Sequence, residues 1–370
     1  MDERIHEHAE ILVDWSARIE SGDNVVVQVG EGAHDLAVAV AEQLGARGAN
    51  VLTCYASDEV ERAYLSSFDG EFTTDPAFER DLYAGADSVL YLRGMRNTSE
   101  TVDVPDATRQ AYGRARKGIR EARFDTDWVT TVHPTRAMAQ QAGMSFEAYR
   151  YFVYDAILRD WEALADEMAQ LKDLLDEGSE VRIVKDDDAT DITMGIEDRL
   201  AVNSAASVAY DSHNLPSGEV FTAPEDTEGT VRFDVPMTIR GTRVKDVELT
   251  FEDGEVVDWS ATQGESVISS IIETDEGARR LGELGVGMNR GIDRITDQIL
   301  FDEKMGGTVH LALGRAYDAC LPEGEHGNQS SVHTDLITDM RADGTRFEID
   351  GEVIQCDGLF RWEDGFETPT

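Results

Sequence analysis

Three short apolar runs, spaced by segments of helix length, constrain the first quarter of this chain most strongly. VVVQVG at 25–30, NVLTCYA at 50–56 and SVLYLRG at 88–94 are rich in β-branched and aromatic residues, and DLAVAVAEQLGARG, closed by glycine, lies between the first two. Strands alternating with amphipathic helices build a parallel sheet covered by helices. Gly30 and Gly32 after the first run suggest a dinucleotide fingerprint, but the third glycine position holds Asp35. A carboxylate where a pyrophosphate should approach is unfavourable, so the spacing predicts a tight turn instead.

The periodicity predicts a helix over 2–20, with Ile5, Ile11, Leu12, Trp15 and Ile19 on one side. Residues 105–178 read as mainly helical. Within them, Phe146, Tyr149, Val153, Ile157, Trp161, Leu164, Met168, Leu171 and Leu175 recur every three or four residues. That stripe predicts one long helix over 145–178, serving as core or as a subunit seam and linking two halves. From EVRIVKDDDATDITMGI onward, alternating β segments take over, with Asp253-Gly254 as a hairpin turn and a helix over about 274–284 that carries Glu283. A chain of 370 residues exceeds one ordinary core, and the change of character places a boundary near 178. The expected architecture is α/β: an N-terminal three-layer α/β domain with a parallel sheet over 1–178, including the helical connection, and a C-terminal α+β metal-binding domain over 179–370.

Charge sets the second constraint. Seventy-five acidic residues face 33 basic ones, a net charge of −42, yet 41% of the residues are hydrophobic and the acid is spread along the chain. This describes a folded protein with an acidic shell, suited to a cytoplasm rich in salt, where screening makes self-repulsion tolerable. No basic face can be assembled, which argues against a nucleic-acid partner. Cys54, Cys320 and Cys356 form no disulfide framework and no CxxC pair, as in a reducing compartment. No run is long enough to span a bilayer and the N-terminus has no apolar signal core, so the expected location is soluble and cytoplasmic, away from membranes.

Candidate chemistry concentrates in the C-terminal half. HNLPSGEVFTAPE places Glu219 at the start of a short strand, behind turn-forming residues that fix a ligand's direction. With so many acids in the chain, a solvated loop carboxylate is the competing reading. His310 lies inside the apolar run GTVHLALG, where a lone histidine is more often a satisfied core residue than a ligand. His333 and Asp335 are two apart in SVHTDLI, so on an extended segment both leave the same face and can converge on an ion. Glu283 sits among three glycines in LGELGVG, Glu303 in a turn entering the His310 strand, and Tyr317 seven residues beyond His310. Carboxylates and imidazoles together suit a divalent ion.

The strings NLPSGEVFTAPE, LGELGVGMN, LFDEKMGGTVHLALGRAY and SVHTDLITDM, in this order and spacing, resemble the aminopeptidase T and aminopeptidase S group of metallopeptidases. The similarity is strongest over about 185–340. The resemblance implies a usually dimeric, dinuclear exopeptidase that removes N-terminal residues from peptides. It implies Glu219, Glu283, His310, His333 and Asp335 as ligands of two divalent ions and Tyr317 as an active-site tyrosine. Glu303 stays open as ligand, base or supporting carboxylate. Two departures, Arg290 after Asn289 and a short acidic loop over 321–330, bear on specificity more than on chemistry.

The expected reaction is hydrolysis of the first peptide bond by a two-metal-activated water, with Glu283 or Glu303 as general base and Tyr317 steadying the oxyanion. Zinc, cobalt, manganese or magnesium each fit the donor set. The alternatives are a non-catalytic metal-binding scaffold and another dinuclear hydrolase such as a phosphoesterase, for which Lys304 and Arg315 are the nearby basic residues.

Overall fold

A computed structural model describes residues 2–185 and 189–367. The chain divides into two compact units, Met1–Arg159 with Ala206–Pro216, and Asp160–Ala205 with Ser217–Thr370. Each is α/β in content. The first holds an all-parallel sheet, and the second holds two antiparallel sheets with few helices.

In the first unit the strands run side by side in the order Asn50–Ala56, Asn24–Gly30, Ser88–Arg93, Asp127–Val132, Asn214–Leu215. All three predicted strands are present: Val25, Val26, Val27, Val89, Leu90 and Leu92 bury the two inner ones, whereas Asn50–Ala56 is a largely exposed edge strand held by its pairing with Asn24–Gly30. The Gly30–Gly32 turn is tight, as predicted: the Gly32 N–H donates to the Gly94 carbonyl at 2.7 Å, and a Cβ on Gly32 would lie 2.9 Å from that oxygen. The N-terminal helix is regular only over Glu3–Glu10 and continues as a π-helix over Ile11–Ser16. Its His8 is fully buried with Nε2 2.7 Å from the Thr131 hydroxyl. Burial, then the neighbouring His133, pulls the His8 pKa down to about 3.

Two strands of this sheet depart from the mainly helical and loop readings. Asp127–Val132 lies between helices, where six residues give no periodic signal of their own. Asn214–Leu215 pairs parallel with Thr130–Thr131. Its two residues are strand only because a partner is waiting.

The stripe predicted as one helix over 145–178 is two helices, Phe146–Ile157 and Trp161–Glu177. Asp160 interrupts it: its carboxylate accepts from the Ala163 N–H at 3.1 Å and caps the second helix. The apolar period carries through the break, so the pattern alone does not reveal it. The two units part at this cap rather than near 178, where the composition changes.

The second unit contains a nine-stranded sheet and a five-stranded one. The Asp253-Gly254 hairpin forms, with φ of +52° and +76° at the two turn residues. Strands Glu180–Lys185 and Thr190–Gly195 flank Asp186–Asp188, which lie outside the described residues. Glu283 is on the strand Leu281–Gly287, not on a helix over 274–284. The helix there, Glu265–Ile272, ends earlier. Leu281, Leu284 and Val286 are buried in a sheet whose both faces are covered, which erases the alternation that marks a half-exposed strand. Among the described residues no helix is long and apolar enough to cross a membrane.

Candidate metal centre

The five-stranded sheet builds the site. Its order is His333–Asp339, Thr308–Gly314, Leu281–Gly287, Glu219–Thr222, Val202–Ser204, all antiparallel. Glu283 lies opposite Ala312, and Ala312 opposite Asp335, on one line across three strands. His310 faces Gly285, Gly314 faces His333, and Gly287 faces Glu219. Side chains two apart on a strand share a face. Glu219, Glu283, His310, His333 and Asp335 therefore all leave the same face of this sheet.

The turn before Glu219 is held by buried polar contacts. The Ser204 and Ser217 hydroxyls lie 2.8 Å apart, Asn289 Nδ2 donates to the Ser217 carbonyl at 2.9 Å, and the Met288 N–H donates to the Gly218 carbonyl at 2.8 Å. These fix where the strand begins and hence where Glu219 points.

Glu283 is the hub. Its Oε1 is 3.1 Å from His310 Nε2 and its Oε2 is 3.2 Å from His333 Nε2. Asp335 Oδ1 is 3.4 Å from His333 Nε2, and one ligand atom each of Glu283, His333 and Asp335 lie within 4.8 Å of one another. Glu219 Oε2 is 3.8 Å from His310 Nε2. The Nδ1 of His333 is 2.9 Å from the Arg315 carbonyl, to which it can only donate. In the neutral ring that leaves the Nε2 lone pair facing the carboxylates, the orientation a metal-ligating histidine needs.

Lys304 and Glu303 join the cluster from below. The Lys304 side chain is fully buried, its Nζ is 3.2 Å from Glu219 Oε1, and it forms a close ion pair with Glu303. Tyr317 packs on the other side, its ring 4.9 Å from the His333 ring and 5.8 Å from Phe221. All seven candidate residues from the sequence are thus gathered in one place. Arg290 is engaged elsewhere, bonding Glu363 and the Gly358 carbonyl.

Electrostatics follow from this crowding. Burial opposes charge on His310, but the hydrogen bond and charge of Glu283, then Glu219 and Asp335, push its pKa up to about 9. His333 is pushed up to about 11 against burial by Asp335 and Glu283. Burial works to raise Glu283, yet the two imidazoles hold it below the usual carboxylate range, and Asp335 is held down likewise by the histidines and Lys304. Glu303 is raised, first by burial, with Lys304 pulling back and Glu219 and Asp335 pushing further. Burial and four surrounding carboxylates push the Tyr317 hydroxyl up, so it stays a proton donor.

Buried carboxylates this close together require cations. The oxygen and imidazole donors, the sheltered face and the preset Nε2 fit divalent ions.

Sequence reading left out two contributors. Lys304 figured only as a basic residue inside a matched string. Gly285 lies two residues after Glu283 on the same strand face, where a Cβ would fall 2.1 Å from His310 Cε1. The imidazole lies across that glycine, so the spacing E-x-G opposite a strand histidine was the available signal. Gly285→Ala is expected to displace His310 and lower kcat/KM at least about a hundredfold, the usual effect of misplacing a catalytic group by about 1 Å. Metal analysis alongside kinetics checks this, and unchanged values for both would show that the glycine does not seat the ring.

A sheet face that gathers these donors defines a protein built to hold divalent metal. The chain belongs to the M29 family, described as thermophilic metalloprotease, whose match spans residues 1–360. It is 29% identical to aminopeptidase T of Thermus thermophilus over 98% of this chain and 95% of that protein. Over 96% of this chain and 98% of the relative it is 25% identical to aminopeptidase AmpS of Bacillus subtilis. The solved structure of wild-type AmpT from Thermus thermophilus superposes with a TM-score of 0.83 at 25% identity, covering 97% of this chain and 99% of that one. The protein is accordingly a peptide-bond hydrolase with a metal cofactor.

Proposed function

We propose that this protein is an aminopeptidase that cleaves the N-terminal bond of peptides with two divalent ions held by Glu219, Glu283, His310, His333 and Asp335. The observation that carries the reading is the convergence of these five side chains on one sheet face, with both histidine Nε2 atoms against Glu283. The relatives named above as aminopeptidases, matched over nearly their whole length, support the substrate class.

Bound divalent ions would supply Lewis acidity and a water that loses its proton near neutral pH. Both Glu283 oxygens face imidazoles, so Glu283 serves as a ligand. Glu303 has no imidazole contact and its burial raises its proton affinity, which favours it as general base. Tyr317 keeps its proton and donates to the developing oxyanion. The free amine of the substrate would be taken up at the second ion position or by a carboxylate beside it, which is what makes the enzyme an exopeptidase.

The same reading has the enzyme working as a homodimer in a salt-rich cytoplasm. The edge strand exposing Val51, Leu52 and Tyr55, with Val60 and Tyr64 exposed on the helix that follows it, leaves apolar side chains available to a second copy, and the spread of acid with three free thiols supports the setting.

Chelation in strong salt is expected to abolish hydrolysis of aminoacyl-p-nitroanilides, and one or more of Zn2+, Co2+, Mn2+ or Mg2+ to restore it. N-acetylated substrates are expected to be turned over at least about a hundredfold more slowly. Equal rates on free and acetylated substrates would overturn the exopeptidase reading, and failure of every ion would favour a non-catalytic scaffold.

A further inference from the structure

Lys304 is an ammonium group with no exposed surface, set among the very carboxylates that hold the proposed ions. Its backbone is clamped. The Lys304 carbonyl accepts from the Asn289 N–H at 3.0 Å, and the backbone of Lys304 and Met305 presses on Gly287, where a Cβ would lie 2.9 Å from the Lys304 carbonyl carbon and 2.2 Å from the Met305 oxygen. Nζ is therefore fixed beneath Glu219 by the same strand that carries Glu283.

This splits the cluster into unlike halves. Among the described residues Glu283, His333 and Asp335 converge with no ammonium within ion-pair distance, Lys304 acting on Asp335 only from farther off, whereas Glu219 shares its Oε1 with Lys304 and turns only Oε2 toward His310. A fixed positive charge a few ångströms from an ion position repels a second cation strongly in a sheltered site. Without that charge, Glu303 would stand buried with no ion-pair partner and Glu219 would keep only the His310 ring whenever the position is empty.

We propose that Lys304 is a resident cation that makes metal loading stepwise: the Glu283–His333–Asp335 half fills first and tightly, and the Glu219 half second and more weakly, against the Lys304 charge. The inference rests on the two-ion reading above. Lys304 acts through Glu219 and Glu303, as a positioning residue.

The test is a calorimetric titration of Co2+ alone into the metal-stripped full-length protein, with bound cobalt counted by elemental analysis. Wild-type protein is expected to take two ions in resolved steps. In Lys304→Met the second step is expected to tighten at least about tenfold while the first stays within about threefold, as removal of one nearby like charge predicts. Lys304→Arg is expected to keep the wild-type gap. A second step in Lys304→Met that is unmoved or weaker overturns the proposal, as does Lys304→Arg behaving like Lys304→Met. Wild type taking one ion would sink the two-ion reading instead. Lys304→Met gaining a second ion would then still support the resident cation, and gaining none would overturn it. Should Lys304→Met fail to fold, Glu303→Gln with Lys304→Met is compared with Glu303→Gln alone, under the same tenfold criterion.

Discussion

Replacing Glu283 with glutamine is expected to remove both metal retention and turnover, with kcat/KM falling at least about a thousandfold, near 4 kcal/mol at 1.4 kcal/mol per decade. The substitution keeps the volume and removes the charge, so packing in the Leu281–Gly287 strand survives. What changes is the hub: each Glu283 oxygen meets an imidazole Nε2, and a neutral amide can accept from only one of those rings and brings no charge to a cation. Glu219→Gln should behave in the same direction but more mildly, because Lys304 already occupies one of its oxygens. Elemental analysis, steady-state kinetics and a thermal melt on each variant distinguish loss of metal from loss of fold. A folded Glu283→Gln enzyme retaining full metal content and more than about a tenth of wild-type activity would remove Glu283 from the site.

Metal uptake should expel protons. In the metal-free protein the carboxylates push His310 up to about 9 and His333 up to about 11, so at pH 7.5 both rings are charged, whereas ligation needs neutral imidazole. Loading both is therefore expected to release close to two protons near pH 7.5 and close to one between pH 9 and 11. Below pH 9 the overall affinity should rise by up to about a hundredfold per pH unit, two protons being exchanged. The stability linkage has the opposite sign. A raised histidine pKa stabilises the metal-free fold fully below the unfolded value near 6.5, and that contribution is lost as pH rises through 9 and then 11. Metal-free protein should thus melt lower as the buffer becomes alkaline, while loaded protein should not follow it. Titrations in buffers of differing ionisation enthalpy count the protons, and a release below about half a proton at pH 7.5 would show that the rings are neutral before metal arrives.

Local pattern carried a definite part of the fold. Val25–Val29 and Ser88–Leu92 are apolar runs of strand length next to helical segments, and that combination admits little besides a parallel sheet. His333 and Asp335 share a face because a strand repeats every two residues, and they do converge. Where pattern failed, the missing term was non-local. A strand buried on both faces, such as Leu281–Gly287, has no alternation, and its glycines read as helix ends or loops. The apolar stripe over 146–175 runs through the cap at Asp160 without a gap. Asn214–Leu215 is too short to signal anything before its pairing partner exists.

The candidate site divides along the same line. The amino-acid sequence by itself determined the chemistry available: carboxylates and imidazoles without thiolate, a rigid turn before Glu219, and an acidic shell. Tertiary structure alone decided that Glu283, Ala312 and Asp335 fall on one line across three strands, and that Lys304 reaches Glu219 from 85 residues away in the chain, by subtraction of their numbers. Ligand identity is a property of single side chains, but strand register is set by the packing of whole sheets, and no one segment encodes it.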